Sequence, residues 1–190
     1  MHMPGDERIV FGEKHKFSIE LKQYHIPKKF YLRLWLNNKA IGDFKRGGSL
    51  DYMINTYFRL LENIDNLYEE KFENMTHPQI FNDILYDITI ERTPELESEL
   101  YERQQKFGYE FGDKQFNDFT FLILYPKHKK TITILVYEMD GRNEPHLHSF
   151  SIEDGYFFST FKEFVNYAFE NDLKKNKPFF PKGFHKEDFQ

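Results

Sequence analysis

Residues 17–44, FSIELKQYHIPKKFYLRLWLNNKAIGDF, decide the fold. Phe17, Ile19 and Leu21 alternate with polar neighbours, and Phe30, Leu32, Leu34 and Leu36 repeat the pattern. Asn37-Asn38 then turns the chain tightly into Lys39-Ala40-Ile41-Gly42-Asp43-Phe44. Successive strand side chains point to opposite faces, so period-two alternation bounded by turn residues predicts three strands of a half-buried antiparallel sheet. This stretch anchors a fold and carries no chemistry.

Working outward, Lys45-Arg46-Gly47-Gly48 reads as a turn and Ser49 as an N-cap whose hydroxyl accepts an otherwise unpaired N–H. A helix follows, because Leu50, Met53, Ile54, Tyr57, Leu60, Leu61 and Ile64 recur at three- and four-residue spacing. Thr76-His77-Pro78 starts a second helix with Ile80, Phe81, Ile84 and Leu85 inward, and Thr93-Pro94 starts a third over Leu96, Leu100, Arg103 and Phe107, stopped by Gly108. Asp87-Ile88-Thr89-Ile90 between them has the composition of a short strand.

A second sheet is predicted from Phe119, Phe121, Ile123 and Tyr125, a turn at Pro126-Lys127-His128-Lys129-Lys130, and a return through Ile132, Ile134, Val136 and Glu138. Thr120, Leu122 and Leu124 make the opposite face largely apolar, which places this hairpin centrally, covered on both sides. Residues 145–152 add an edge strand. Thr160-x-x-Glu163 has the form of a capping box ahead of a last helix with Phe161, Phe164, Val165, Ala168 and Phe169 inward, ending near Asn171-Asp172. The expected fold is α+β: one domain over 1–173, with a mostly antiparallel sheet of about six strands packed against helices. It starts β-β-β-α and finishes β-β-β-α. Residues 174–190, with Pro178, Pro181 and Gly183, are expected to be an extended or disordered tail.

The length of 190 residues suits one domain able to bury a core without staples. Cysteine is absent, which excludes disulfides, thiolate metal sites and cysteine nucleophiles. The first residues lack the apolar run of a secretory signal, and no stretch approaches the ~18 apolar residues of a membrane span, so a cytoplasmic protein with no membrane partner is expected. With 31 acidic against 26 basic side chains the net charge is −5, which argues against a nucleic-acid binder, since such proteins concentrate Lys and Arg. A basic protein partner suits this balance better, although ordinary solubility charge explains it too.

Four constellations invite a functional reading. His146-Leu147-His148 puts two imidazoles on one strand face, and with Gly141 and Glu153 the spacing approaches the first metal motif of cupins, so His146, His148 and Glu153 are a candidate ligand set. The pattern departs from cupins in its glycine spacing and in lacking a second motif; exposed edge-strand histidines are the plainer reading. Glu95, Glu99 and Glu102 share one face of the third helix, an acidic docking surface or a solvated face in which Glu99 meets Arg103 and Glu102 meets Lys106. Asp65, Glu69 and Glu73 repeat the theme around Tyr68, as a steering surface or a polar connection. Gly47-Gly48-Ser49, beside Lys45 and Arg46, has the makings of an anion cradle as well as of a turn. No phosphate-loop, dinucleotide, nucleophile-elbow or zincin motif occurs, and no cofactor is expected. The 18 % aromatic content keeps a small-ligand module open beside core packing.

Taken together, Phe11-Gly12-Glu13-Lys14-His15-Lys16-Phe17-Ser18-Ile19-Glu20, Leu36-Asn37-Asn38-Lys39-Ala40-Ile41-Gly42-Asp43-Phe44 with its following helix, and the hairpin-strand-helix run over 116–169 resemble the immunity protein 42 family. The resemblance rests on Phe-x-Ile-Glu, Ile-Gly-Asp and the order of elements. It implies a protein without catalysis that neutralises one cognate toxin domain by binding it, and it assigns no particular contact residues. The competing classes are a metal enzyme using His146 and His148 and a small-ligand binder.

Overall fold

Two four-stranded antiparallel sheets divide the strands by chain order, with β1 to β4 in the first and β5 to β8 in the second. The computed structural model describes residues 8–23, 26–85, 94–139 and 146–173. The first sheet comprises β1 (Arg8–Gly12), β2 (Phe17–Gln23), β3 (Phe30–Leu36) and β4 (Lys39–Ile41). The predicted alternation holds, with Phe17, Ile19 and Leu21 opposite Leu36, Leu34 and Leu32 on the inward face. Asn37 (φ 48°) and Asn38 (φ 66°) are both left-handed, which is what a two-residue turn needs to match strand twist.

Helix α1 (Asp51–Asn63) follows; its N-cap is Leu50, whose carbonyl accepts the first helical bond from Ile54, so Ser49 stands one residue too early to be the cap, although its hydroxyl accepts the Asp51 N–H at 3.1 Å. Then come α2 (His77–Leu85), α3 (Pro94–Phe107), β5 (Gly108–Tyr109), β6 (Phe119–Leu124), β7 (Thr131–Glu138), β8 (His146–Glu153) and α4 (Asp154–Glu170). Among the described residues eight strands stand where about six were expected, the additions being β1 and the two-residue β5, within the same α+β class. The proposed strand at 87–90 and the tail at 174–190 lie outside the described residues.

Helix α4 begins at Asp154, so Thr160 is not a cap. Three contacts secure the earlier start. The Asp154 N–H reaches the Lys130 carbonyl (3.1 Å), its Oδ1 accepts the Gly155 N–H (2.6 Å), and its Oδ2 accepts the Tyr125 hydroxyl (2.6 Å). Thr160 is buried in mid-helix against Gly12, where a Cβ would come within 2.7 Å of the threonine methyl.

The second sheet separates two cores. Phe121, Ile123, Ile134 and Val136 join the inward face of the first sheet, α1 and α4, while Leu122, Leu124 and Leu135 face α2 and α3 through Ile80, Phe81, Ile84 and Phe107. The hairpin β6–β7 is thus central and covered on both faces, as its two apolar faces predicted. Among the described residues, helices pack on the inward side of the first sheet and none covers its polar outer face. No helix among the described residues is long and apolar enough to cross a membrane.

Candidate functional site

The outer face of the first sheet is organised around one carboxylate. Register places Val10, Glu20 and Arg33 in one row across β1, β2 and β3, with Trp35 two residues further along β3. Glu20 is only 1 % exposed, an unusual state for a carboxylate on a sheet's polar side. Its Oε2 accepts hydrogen bonds from Arg33 Nε (2.9 Å) and Trp35 Nε1 (2.6 Å), with Lys14 Nζ 3.4 Å away. Arg8 Nη1 approaches Oε1 at 3.4 Å. Burial pushes the Glu20 carboxyl up, but the Arg33 and Trp35 hydrogen bonds and the Arg33 and Lys14 charges outweigh it and hold the pKa down at about 2.

The same cations stack on aromatic rings. Lys14 Nζ lies 4.3 Å and the Arg33 guanidinium 4.7 Å from the Trp35 ring centre. Phe44 receives Arg33 at 4.6 Å and Arg8 at 5.3 Å, and the Tyr31 ring supports Phe44 at 5.5 Å. Phe44 reaches this face because of the turn before it. Gly42 adopts φ +108°, and a Cβ there would meet the Phe116 ring at 2.8 Å, so a residue without a side chain is required. Asp43 fixes the next step, its N–H bonding the Gln115 carbonyl (2.6 Å) and its Oδ1 accepting the Lys45 N–H (2.8 Å). Phe-x-Ile-Glu and Ile-Gly-Asp therefore converge here, the first through Glu20 and the second by delivering Phe44. Sequence reading missed this surface, although a tryptophan beside an arginine on the polar face of a strand was a visible signal.

The acidic residues singled out from sequence fall into two groups. Glu69 is enclosed by cations, with Arg103 Nη2 at 3.3 Å, Lys106 Nζ at 3.1 Å and Lys71 Nζ at 3.5 Å. Arg103 also binds the Asp83 carboxylate and, at 2.9 Å, its carbonyl oxygen, which ties α3 to α2. Burial pushes the Asp83 carboxyl up, yet hydrogen bonds from Arg103 and Lys71 leave it below the ordinary carboxylate value. Asp65 pairs with Lys127, and Glu73 with His128 at 3.3 Å, both at the exposed surface. Glu95, Glu99 and Glu102 are exposed and have no cation partner among the described residues. The expected pairs along α3 do not form, because Arg103 and Lys106 turn inward to Asp83 and Glu69.

The three-ligand metal set is not assembled. His146 and His148 do share a face of β8, their rings 6.4 Å apart, but Glu153 ends the same strand seven residues on, about 23 Å from His146 at strand rise. His148 Nε2 instead meets Lys39 Nζ (2.5 Å) and Glu138 Oε2 (3.3 Å), and Lys39 reaches the same Glu138 oxygen at 2.8 Å. The Lys39 hydrogen bond holds the Glu138 carboxyl below its usual range. Among the described residues no group of three His, Asp or Glu side chains converges. Gly141 lies outside them. The glycine loop serves the fold, since Gly48 and Phe30 exchange backbone hydrogen bonds (2.9 and 2.8 Å) and Gln115 packs where a Gly48 Cβ would stand.

No curated protein matches the chain. Among solved structures, CdiI from Burkholderia dolosa AUO158 is similar in fold, with a TM-score of 0.58 at 10 % identity, covering 83 % of this chain and 98 % of that one. The family model described as immunity protein 42 matches residues 9–167, which take in the described strands and helices except Arg8 at the start of β1 and the last turn of α4, and hold the two short patterns noted above. By that match, and as the sequence resemblance implied, the chain belongs to the immunity protein 42 family.

Proposed function

We propose that this immunity protein neutralises a cognate toxin domain by binding it, with no chemistry of its own, in the cytoplasm where such a toxin would act. The observation that carries this reading is the family match over 9–167. The architecture supports it. Two cores braced by a shared sheet make a stiff body, and a stiff body loses little conformational entropy on association. An interface of about 1,600 Å² in total, with a few aromatic and arginine anchors, is enough for tight inhibition. Nucleic acid and membrane are not partners in this reading.

Growth tests it directly. A toxin domain is expected to be encoded beside this gene; expressed alone it should arrest cells, co-expression of this chain should restore growth, and the two purified proteins should elute as one complex. Arrest that persists beside soluble immunity protein, with no complex formed, overturns the reading.

A further inference from the structure

We infer that the outer face of the first sheet, centred on Trp35 and Arg33 and flanked by Arg8, Lys14 and Phe44, is the surface that grips the toxin, and that it takes an acidic segment of that protein. The inference rests on the immunity reading and adds where contact is made and with what chemistry.

Four observations converge on it. The anchors are of the residue types, Trp and Arg, that dominate binding energy at interfaces. Among the described residues three cations stand around one buried carboxylate, so the Glu20 cluster itself carries an excess of two positive charges on a chain whose net charge is −5. That local reversal of sign selects an acidic partner and disfavours non-specific contacts elsewhere. Among the described residues only Nε of Arg33 is hydrogen-bonded, which leaves its terminal amino groups for a carboxylate from outside. Finally, Glu20 locks Arg33 and Trp35 in place before any partner arrives, which reduces the ordering cost of binding. The exposed carboxylates of α3 form the competing surface; they flank exposed Tyr101, but no described contact fixes them.

Trp35 is the only tryptophan, so protein labelled with 5-fluorotryptophan has one fluorine resonance. Adding the toxin domain expected beside this gene should shift that resonance. By calorimetry, Trp35→Ala should weaken the complex at least ~30-fold, with circular dichroism confirming the fold. The double variant Arg8→Gln/Lys14→Gln, which leaves the Arg33–Glu20 hydrogen bond intact, should weaken it about tenfold, more at low salt than at high. Wild-type binding with an unmoved resonance and unaffected variants overturns the surface while the immunity reading stands. The same holds if Glu95→Lys/Glu99→Lys/Glu102→Lys abolishes binding in their place, or if a single-stranded oligonucleotide moves the resonance and the toxin does not. Failure of the wild-type protein to bind the toxin overturns both.

Discussion

The outer face of the first sheet and the exposed side of α3 carry opposite charge and are built in opposite ways. On the sheet, one buried carboxylate collects three cations and an indole N–H, and every member has its position set by another. On α3, four carboxylates, Glu95, Glu97, Glu99 and Glu102, stand in solvent while the cations of the same helix turn inward to other partners. Charge alone therefore does not mark a recognition surface. Charge held by a network is oriented before contact, whereas solvated charge must be ordered during it.

Removing the hub should have the largest effect. Glu20→Gln leaves Arg33, Arg8 and Lys14 without their shared anion, and lowering a carboxyl from 4.5 to about 2 corresponds to roughly 3 kcal/mol. Because the folded pKa is depressed, that stabilisation is complete above pH 4.5 and is lost as pH falls toward 2. Urea titrations should show the wild-type protein losing stability across this window and the variant, already weaker at pH 7, responding less. Equal slopes would mean that the network does not hold the sheet face together.

Next in size is Gly42→Ala. A side chain at φ +108° pressed against the Phe116 ring should cost about 2 kcal/mol and displace Phe44, read as a lower thermal midpoint and a moved Trp35 fluorine resonance. Arg103→Met should cost about 1–2 kcal/mol by releasing Asp83 and Glu69, and should accelerate hydrogen exchange in α2 and α3 while leaving β2 and β3 protected. Uniform acceleration would mean that the two regions are not energetically separate. The smallest effect is expected from Glu95→Lys/Glu99→Lys/Glu102→Lys, with stability within about 0.5 kcal/mol of wild type and toxin affinity within about threefold. A larger loss of affinity would move the interface to α3 and reverse the comparison.

Much of this was legible in the sequence, because alternation and helical spacing report burial directly. The strands β2, β3, β6 and β7, the turn at Asn37-Asn38 and the stripe of α1 all follow from period and turn chemistry. What was missed depends on contacts distant in sequence. The edge strand β1 is short and, among the described residues, paired on one side only, and β5 exists through its two-residue pairing with β6. Thr160-x-x-Glu163 imitates a cap, but the helix start is set by Tyr125 and Lys130, which sequence does not reveal as neighbours of Asp154. The carboxylate hub was hidden for the same reason. Placing Glu20 opposite Arg33 requires the β2–β3 register, and the connection at 24–29 is long enough to permit several.

The central hairpin has a further consequence for how the chain finds its fold. With Leu122, Leu124 and Leu135 apolar behind Phe121, Ile123, Ile134 and Val136, sliding one strand past the other by a residue would exchange leucines between the two cores, and chiefly Thr131 and Thr133 of β7 would be misplaced by it, so burial specifies the alignment weakly. The bend at 126–130, closed by Lys130 at φ 48°, must therefore act as the ruler. An inserted residue there would leave a chain that collapses readily yet threads wrongly, a folding trap rather than a local flaw.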